Sequence, residues 1–238
     1  MFTDFTAVPR AGEAVTELVR MSRDEPIPNR YIERLQAGEL TMDGVMGLVG
    51  VTHKCHPAEI TGFASVMARF PTRSNTEFLA NMIHLINRAG PKLDPVIAAV
   101  GLDEQTLAHW PQDPRAWEVA SFWGRMALLG TAAQAALALY WDMANYFPDS
   151  DRMLDLVAVS GLLVPEEFTW YYSGGQSDEL ERQALLVVEE GIAAGESTDD
   201  MVFAARQMQE AIGGYWEAAA RSRPPTARPP SGRAARGI

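Results

Sequence analysis

A single cysteine, Cys55, in 238 residues excludes an internal disulfide framework. No apolar run is long enough to serve as a signal peptide or to span a bilayer, so a cytoplasmic protein without a membrane partner is expected. Strand-type alternation of apolar and polar residues is missing from the body of the chain. Missing too are a glycine-rich phosphate loop, a serine-nucleophile elbow, zinc-finger spacing and an EF-hand loop; "YSGGQSDE" lacks the preceding strand and the spacing that phosphate binding requires. Basic charge is in deficit, with 20 Lys and Arg against 31 Asp and Glu and a formal net charge of -11. A body this acidic repels nucleic acid.

The arginines that are present are unevenly spread. The final stretch "RSRPPTARPPSGRAARGI" carries five arginines and no acid. It has no apolar periodicity to support ordering, and residues 222–238 read as a disordered basic tail, with 1–221 as one folded domain.

What the body does have is helix. Its hydrophobic content of 47% is ample for one substantial core, and apolar residues recur at spacings of three and four through long segments. The first helices are expected near "GEAVTELVRMSR" and "PNRYIERLQAG", the second closed by Gly38. A third runs from a Thr41 or Asp43 cap to Phe70, with a kink expected at Pro57. A fourth, capped by Ser74, ends at Gly90-Pro91 and is followed by a shorter helix in "LDPVIAAVGL". One long central helix is expected from an Asp113 cap, with Pro114 at its first position, to Pro148; being apolar nearly all round, it belongs at the middle of a bundle. Further helices follow in "DSDRMLDLVAVSGL", "VPEEFTWYYS", the segment from Ser177, and "TDDMVFAARQMQEAIGGYWEAAARS". The fold class is all-α, a single-domain bundle of about eight to ten helices.

Three groups of residues attract chemical interest. In "THKCHPAE", His53, His56 and Glu59 recur every third residue and share a helical face, a metal-ligand spacing that Pro57 distorts; a polar seam or pocket lining is the better reading. Cys55 reads as a buried thiol. Asp142, in "LYWDMANY", lies on the most apolar helix, where a carboxylate needs a partner. Asp178 and Glu181, one turn apart after "WYYSGGQS", can point the same way, although Asp178 at a helix start is also ordinary capping.

The order of these features resembles a known family. "PNRYIERLQAGELTMDGVMGLV", then "ITGFASVMARFPT", "NMIHLINRAG" and "AAVGLDEQTL", a long apolar helix, and an aromatic pair ahead of an acidic helix together resemble the heme oxygenase-like superfamily. The likeness is greatest to the branch with TenA-type proteins, the PqqC-type oxidase and non-heme di-iron oxidases, and covers roughly residues 25 to 220. In the di-iron members a glutamate and histidine on one helix, a carboxylate on the central helix and a later HxxxDxxH turn hold two irons. The resemblance carries the central carboxylate onto Asp142 and the later turn onto Gly174, Asp178 and Glu181, of which only Asp178 fits. The earlier ligand helix falls on "NMIHLINRAG", which supplies Asn81, His84, Asn87 and Arg88 but no acid. Arginine cannot ligate a metal but can neutralise carboxylates. The resemblance therefore implies that Arg88 or a neighbour pairs with Asp142 and Asp178 where iron would sit.

On this resemblance the chain is expected to be a metal-independent enzyme of specialised metabolism acting on a small molecule in a central cavity, with no cofactor. Asp142, Asp178 and Glu181 would be acid or base groups, and Arg88 and His84 would orient the substrate. Trp170, Tyr171, Tyr172, Tyr140, His53 and His56 would contact it. Homodimers are common in the resembled family, and the resemblance implies one here. The TenA-type cysteine sits on the central helix, which has none here, so Cys55 does not inherit its role. The rival expectations are a ligand- or partner-binding pseudoenzyme and an atypical di-iron oxidase using His84 with His53 or His56.

Overall fold

The computed structural model describes residues 4–224. Among them ten α-helices and one 3-10 turn account for all regular structure. Helix α1 spans Pro9–Asp24, α2 Arg30–Gln36, α3 Met42–Arg69, α4 Arg73–Ala99 and α5 Glu104–His109. The 3-10 turn Pro114–Trp117 leads into α6 Glu118–Leu129; α7 spans Ala132–Ser160, α8 Glu166–Tyr172, α9 Asp178–Ala193 and α10 Thr198–Arg221. The basic tail expected over 222–238 lies, apart from its first residues, outside the described residues.

Helices α3, α7 and α10 form the heart of the bundle. α10 packs along both α7 and α3, α4 and α6 flank α3, and α9 closes against α7. The core explains the central place of α7: from Ala132 to Met143 nearly every residue is buried, small alanines alternating with Leu137, Leu139, Tyr140 and Trp141. Small residues let the helices approach closely. A Cβ placed on Gly47 of α3 would lie 2.2 Å from the Ala219 carbonyl oxygen of α10, and one on Gly191 of α9 would lie 2.4 Å from the Ala133 Cβ of α7.

Two helix boundaries depart from the expectation. The single helix expected from Asp113 to Pro148 is divided at Gly130. There the Thr131 side chain accepts from the Gln134 amide while the Gln134 side chain accepts from the Thr131 amide, a reciprocal cap that starts a new helix. Hydrophobic periodicity is the same on both sides of this break and cannot reveal it. Helix α7 then continues through Pro148 to Ser160, taking in the segment expected to be separate.

The second departure is α4, which is not ended by Gly90-Pro91 but continues through Pro91 and Pro95. Both prolines are exposed, as is Asn87, so the carbonyls that lose their helical partners, those of Asn87 and Pro91, belong to residues that face water. Meanwhile Leu93 and Val96 stay buried and extend the apolar face. The N-terminal cap of α4 is Thr72 rather than Ser74, its hydroxyl accepting from the Asn75 amide. Helix α3 runs through Pro57 as expected.

Candidate functional site

The bundle encloses a cavity of about 150 Å³ between α3, α4, α7, α8 and α10. Helix α3 brings Thr52, Cys55, His56 and Glu59 to it, spaced at three or four and seven residues as one helical face requires. Helix α7 brings Asp142 and Tyr146, one turn apart, α8 brings Tyr171 and Tyr172, and α10 brings Tyr215. The rest of the lining is largely apolar: Met82, Leu85 and Ile86 of α4, Phe63 of α3, and Leu139 and Phe147 of α7.

Two carboxyls therefore face one small, mostly apolar space. Burial pushes Asp142 up to about 7, and its Oδ1 is buried without a hydrogen-bond partner. Glu59 is pushed up to about 8, by burial first and then by the nearby Asp142 charge. An unpaired buried acid keeps its proton because ionisation without solvent or counter-charge is costly.

His56 is pushed down to about 4 by burial and by His53, so its ring is neutral near pH 7. Its Nε2 lies 2.9 Å from the Tyr171 hydroxyl. The Cys55 thiol is raised by burial and by the charges of Glu59 and Asp142, and it donates to the Val51 carbonyl at 3.4 Å. That thiol stays protonated. At the inner end the Thr52 hydroxyl lies 2.8 Å from the Tyr172 hydroxyl and 2.7 Å from that of Tyr215.

The residues singled out by sequence are divided by the structure. Asp142, His56, Tyr171 and Tyr172 converge on the cavity, and Gly174 stands at its edge. His84 and Arg88 do not: both are exposed on α4. Asp178 is exposed in the first turn of α9. The expected bridge from Arg88 to Asp142 and Asp178 is thus corrected. The acid sits inside the bundle and the guanidinium outside it, and burial alone is what raises Asp142.

Glu181 is buried, 2% exposed, but beside Tyr140 rather than in the cavity wall; its charge adds to burial in raising the Tyr140 phenol. Trp170 points outward, 53% exposed, with the Lys92 ammonium 4.8 Å from its ring centre. His53 is half-buried on the side of α3 turned from the cavity, and its Nδ1 has no partner. Of the face read in "THKCHPAE" as a polar seam or pocket lining, His56 and Glu59 do reach the cavity, though Glu59 was not expected to act on the substrate; the residues missed are Thr52, Tyr146 and Tyr215. The available signal was the α3 face itself, which shares His56 and Glu59 with the His53, His56, Glu59 series and has Thr52 in place of His53.

A di-iron site needs imidazoles and carboxylates converging on shared points. Among the described residues no three His, Cys, Asp or Glu side chains come together in that way. The donor set does not fit a di-iron centre.

No family model matches the sequence, and no curated protein matches it. The fold does have solved counterparts. The X-ray structure of a TenA homologue from Pyrococcus furiosus superposes with a TM-score of 0.62 at 15% identity, covering 87% of this chain and 99% of that one. The architecture is the all-helical, heme oxygenase-like fold found in that TenA homologue. At this identity the likeness establishes the fold and leaves function to the site.

Proposed function

We propose that the protein is a small-molecule enzyme that works by proton transfer between Glu59, Asp142 and a substrate held in the central cavity, without a metal. The observation that carries this reading is the carboxyl pair. Two acids from different helices share one cavity, and both titrate near neutrality. Between pH 7 and 8 such a pair holds about one proton and one negative charge, so one member donates while the other accepts.

The cavity volume of about 150 Å³ suits a single ring-sized molecule. The apolar wall of Met82, Leu85 and Ile86 would grip its face and exclude water, while the carboxyls act at its edge. Proton removal at one atom with delivery at another is the chemistry of cyclisation, elimination and isomerisation. Tyr171, held by neutral His56, would fix the ring's orientation from α8. A place in specialised metabolism and a homodimeric state complete the proposal and rest on the family resemblance, and a cytoplasmic location rests on the single cysteine and the lack of a long apolar run. Among the described residues no helix is long and apolar enough to cross a membrane.

The test is turnover of ring-sized compounds found to stabilise the protein thermally, compared among wild type, Glu59→Gln and Asp142→Asn. Each variant should lose about 100-fold or more in rate, the usual scale for a general acid or base. Undiminished rates in both would sink the assignment.

A further inference from the structure

The hydroxyl cluster at the inner end of the cavity has a direction, and the direction follows from counting protons. Thr52 Oγ1 lies 2.8 Å from the Leu48 carbonyl oxygen, one turn back on α3. A carbonyl has no proton to give, so at that separation the single Thr52 proton must point at Leu48. Thr52 then has only lone pairs left for its other two neighbours. The hydroxyls of Tyr172 at 2.8 Å and Tyr215 at 2.7 Å must both donate to it. All three residues are buried, Thr52 at 4% exposure and the two tyrosines at 3% each, so water cannot reshuffle the arrangement freely. Both phenols line the cavity with their protons already committed.

We propose that Thr52 is a specificity-determining residue: by fixing the protons of Tyr172 and Tyr215 on itself, it makes that wall an acceptor-only surface and selects ligands presenting N–H or O–H groups. This deepens the proposed function and rests on its premise that the cavity holds a small molecule. The phenols therefore cannot serve as an oxyanion hole, which needs donors aimed at developing negative charge. Donation to the ligand is left to the protonated carboxyls, to the Tyr146 hydroxyl, which is hydrogen-bonded with Tyr215, and to the pair formed by Tyr171 and His56. Removing the Thr52 hydroxyl would free both phenolic protons and reverse the polarity of the wall.

The experiment compares two neutral probes built on one ring, aniline, whose amino group donates, and benzonitrile, which only accepts. Binding of each to the full chain is measured by calorimetry at pH 6, where Glu59 and Asp142 are both largely protonated, so the acids are in one state throughout. The protonated acids can donate to benzonitrile in every variant, so the readout is the change in the aniline-to-benzonitrile affinity ratio when the Thr52 hydroxyl is removed. Thr52→Val should lower that ratio about tenfold from wild type, the scale of one satisfied hydrogen bond, and Thr52→Ser, which keeps the hydroxyl, should leave it unchanged. An unchanged ratio in Thr52→Val, or a ratio lowered in Thr52→Ser, would overturn the proposal. So would binding of neither probe at millimolar concentration. If Thr52→Val fails to fold, Thr52→Ala supplies the same comparison. The readout is affinity rather than turnover, so Glu59→Gln and Asp142→Asn proteins that stayed fully active and kept the Thr52-dependent preference would refute the acid–base chemistry and leave this inference standing.

Discussion

Glu59 of α3 and Asp142 of α7 face each other's charge across one cavity, and the acid on α7 raises the proton affinity of the acid on α3. Their ordinary values are 4.5 and 3.8, so both bind their protons more tightly in the folded chain than in the unfolded one. The stabilisation from these protons is complete below the unfolded values and is lost as pH rises through about 7 and 8. Melting temperature should therefore fall between pH 5 and pH 9, reflecting on the order of a few kcal/mol from this pair. Glu59→Gln should flatten the curve and melt above wild type at pH 9; a parallel curve would refute the raised values.

The same two groups set the activity profile. Rates should be greatest between pH 7 and 8, where one acid is ionised and the other is not, and should fall on both sides. Replacing either acid by its amide should remove one limb of the bell along with most of the rate.

Cys55 lies in the cavity wall, but burial and two neighbouring carboxyls hold its thiol protonated. Cys55→Ala should retain at least a third of the activity and cost about 1 kcal/mol in stability, measured by urea unfolding. A drop of 100-fold in rate would show that the thiol attacks substrate after all.

Arg88 is exposed on α4, away from the buried acids. Arg88→Ala should leave stability within about 0.5 kcal/mol of wild type, as for other surface changes. It should also leave the pH dependence of melting unchanged, whereas loss of a counter-charge would shift that curve.

Gly47 meets the backbone of α10 directly, since an added Cβ would lie 2.2 Å from the Ala219 carbonyl oxygen. Backbone cannot swing aside as a side-chain tip can. Gly47→Ala should cost about 2–3 kcal/mol in chemical denaturation by forcing α3 and α10 apart. An unchanged midpoint would show that the two helices can separate without loss.

Much of the helical architecture was legible in the chain because it depends on local repetition. The spacing of apolar residues gives α1, α2, α3, α9 and α10, and Ser177 caps α9 as its residue type suggests, accepting from the Leu180 amide. Local signals failed where two of them competed. Gly90-Pro91 reads as a stop, yet the burial of Leu93 and Val96 carries α4 past it. The break at Gly130 is hidden because the apolar pattern of α6 resumes in α7.

The site was half legible for a similar reason. Asp142 stood out as an acid on an apolar helix, a property of one segment. Its relation to Glu59 did not stand out, because the two are brought together only by the packing of α3 against the rest of the core. A shift of one residue in the facing side of α3 exchanges His53 for Thr52. Sequence by itself determined the all-helical class, the buried acid and the aromatic approach to the cavity, since each follows from residue type and period along a single helix. Only the tertiary structure decided which acid shares the cavity with Asp142, that Arg88 stands in water, and which way the Thr52 hydroxyl points. Those facts depend on the relative rotation of neighbouring helices, and that rotation is fixed by close contacts such as Gly47 against Ala219 and Gly191 against Ala133.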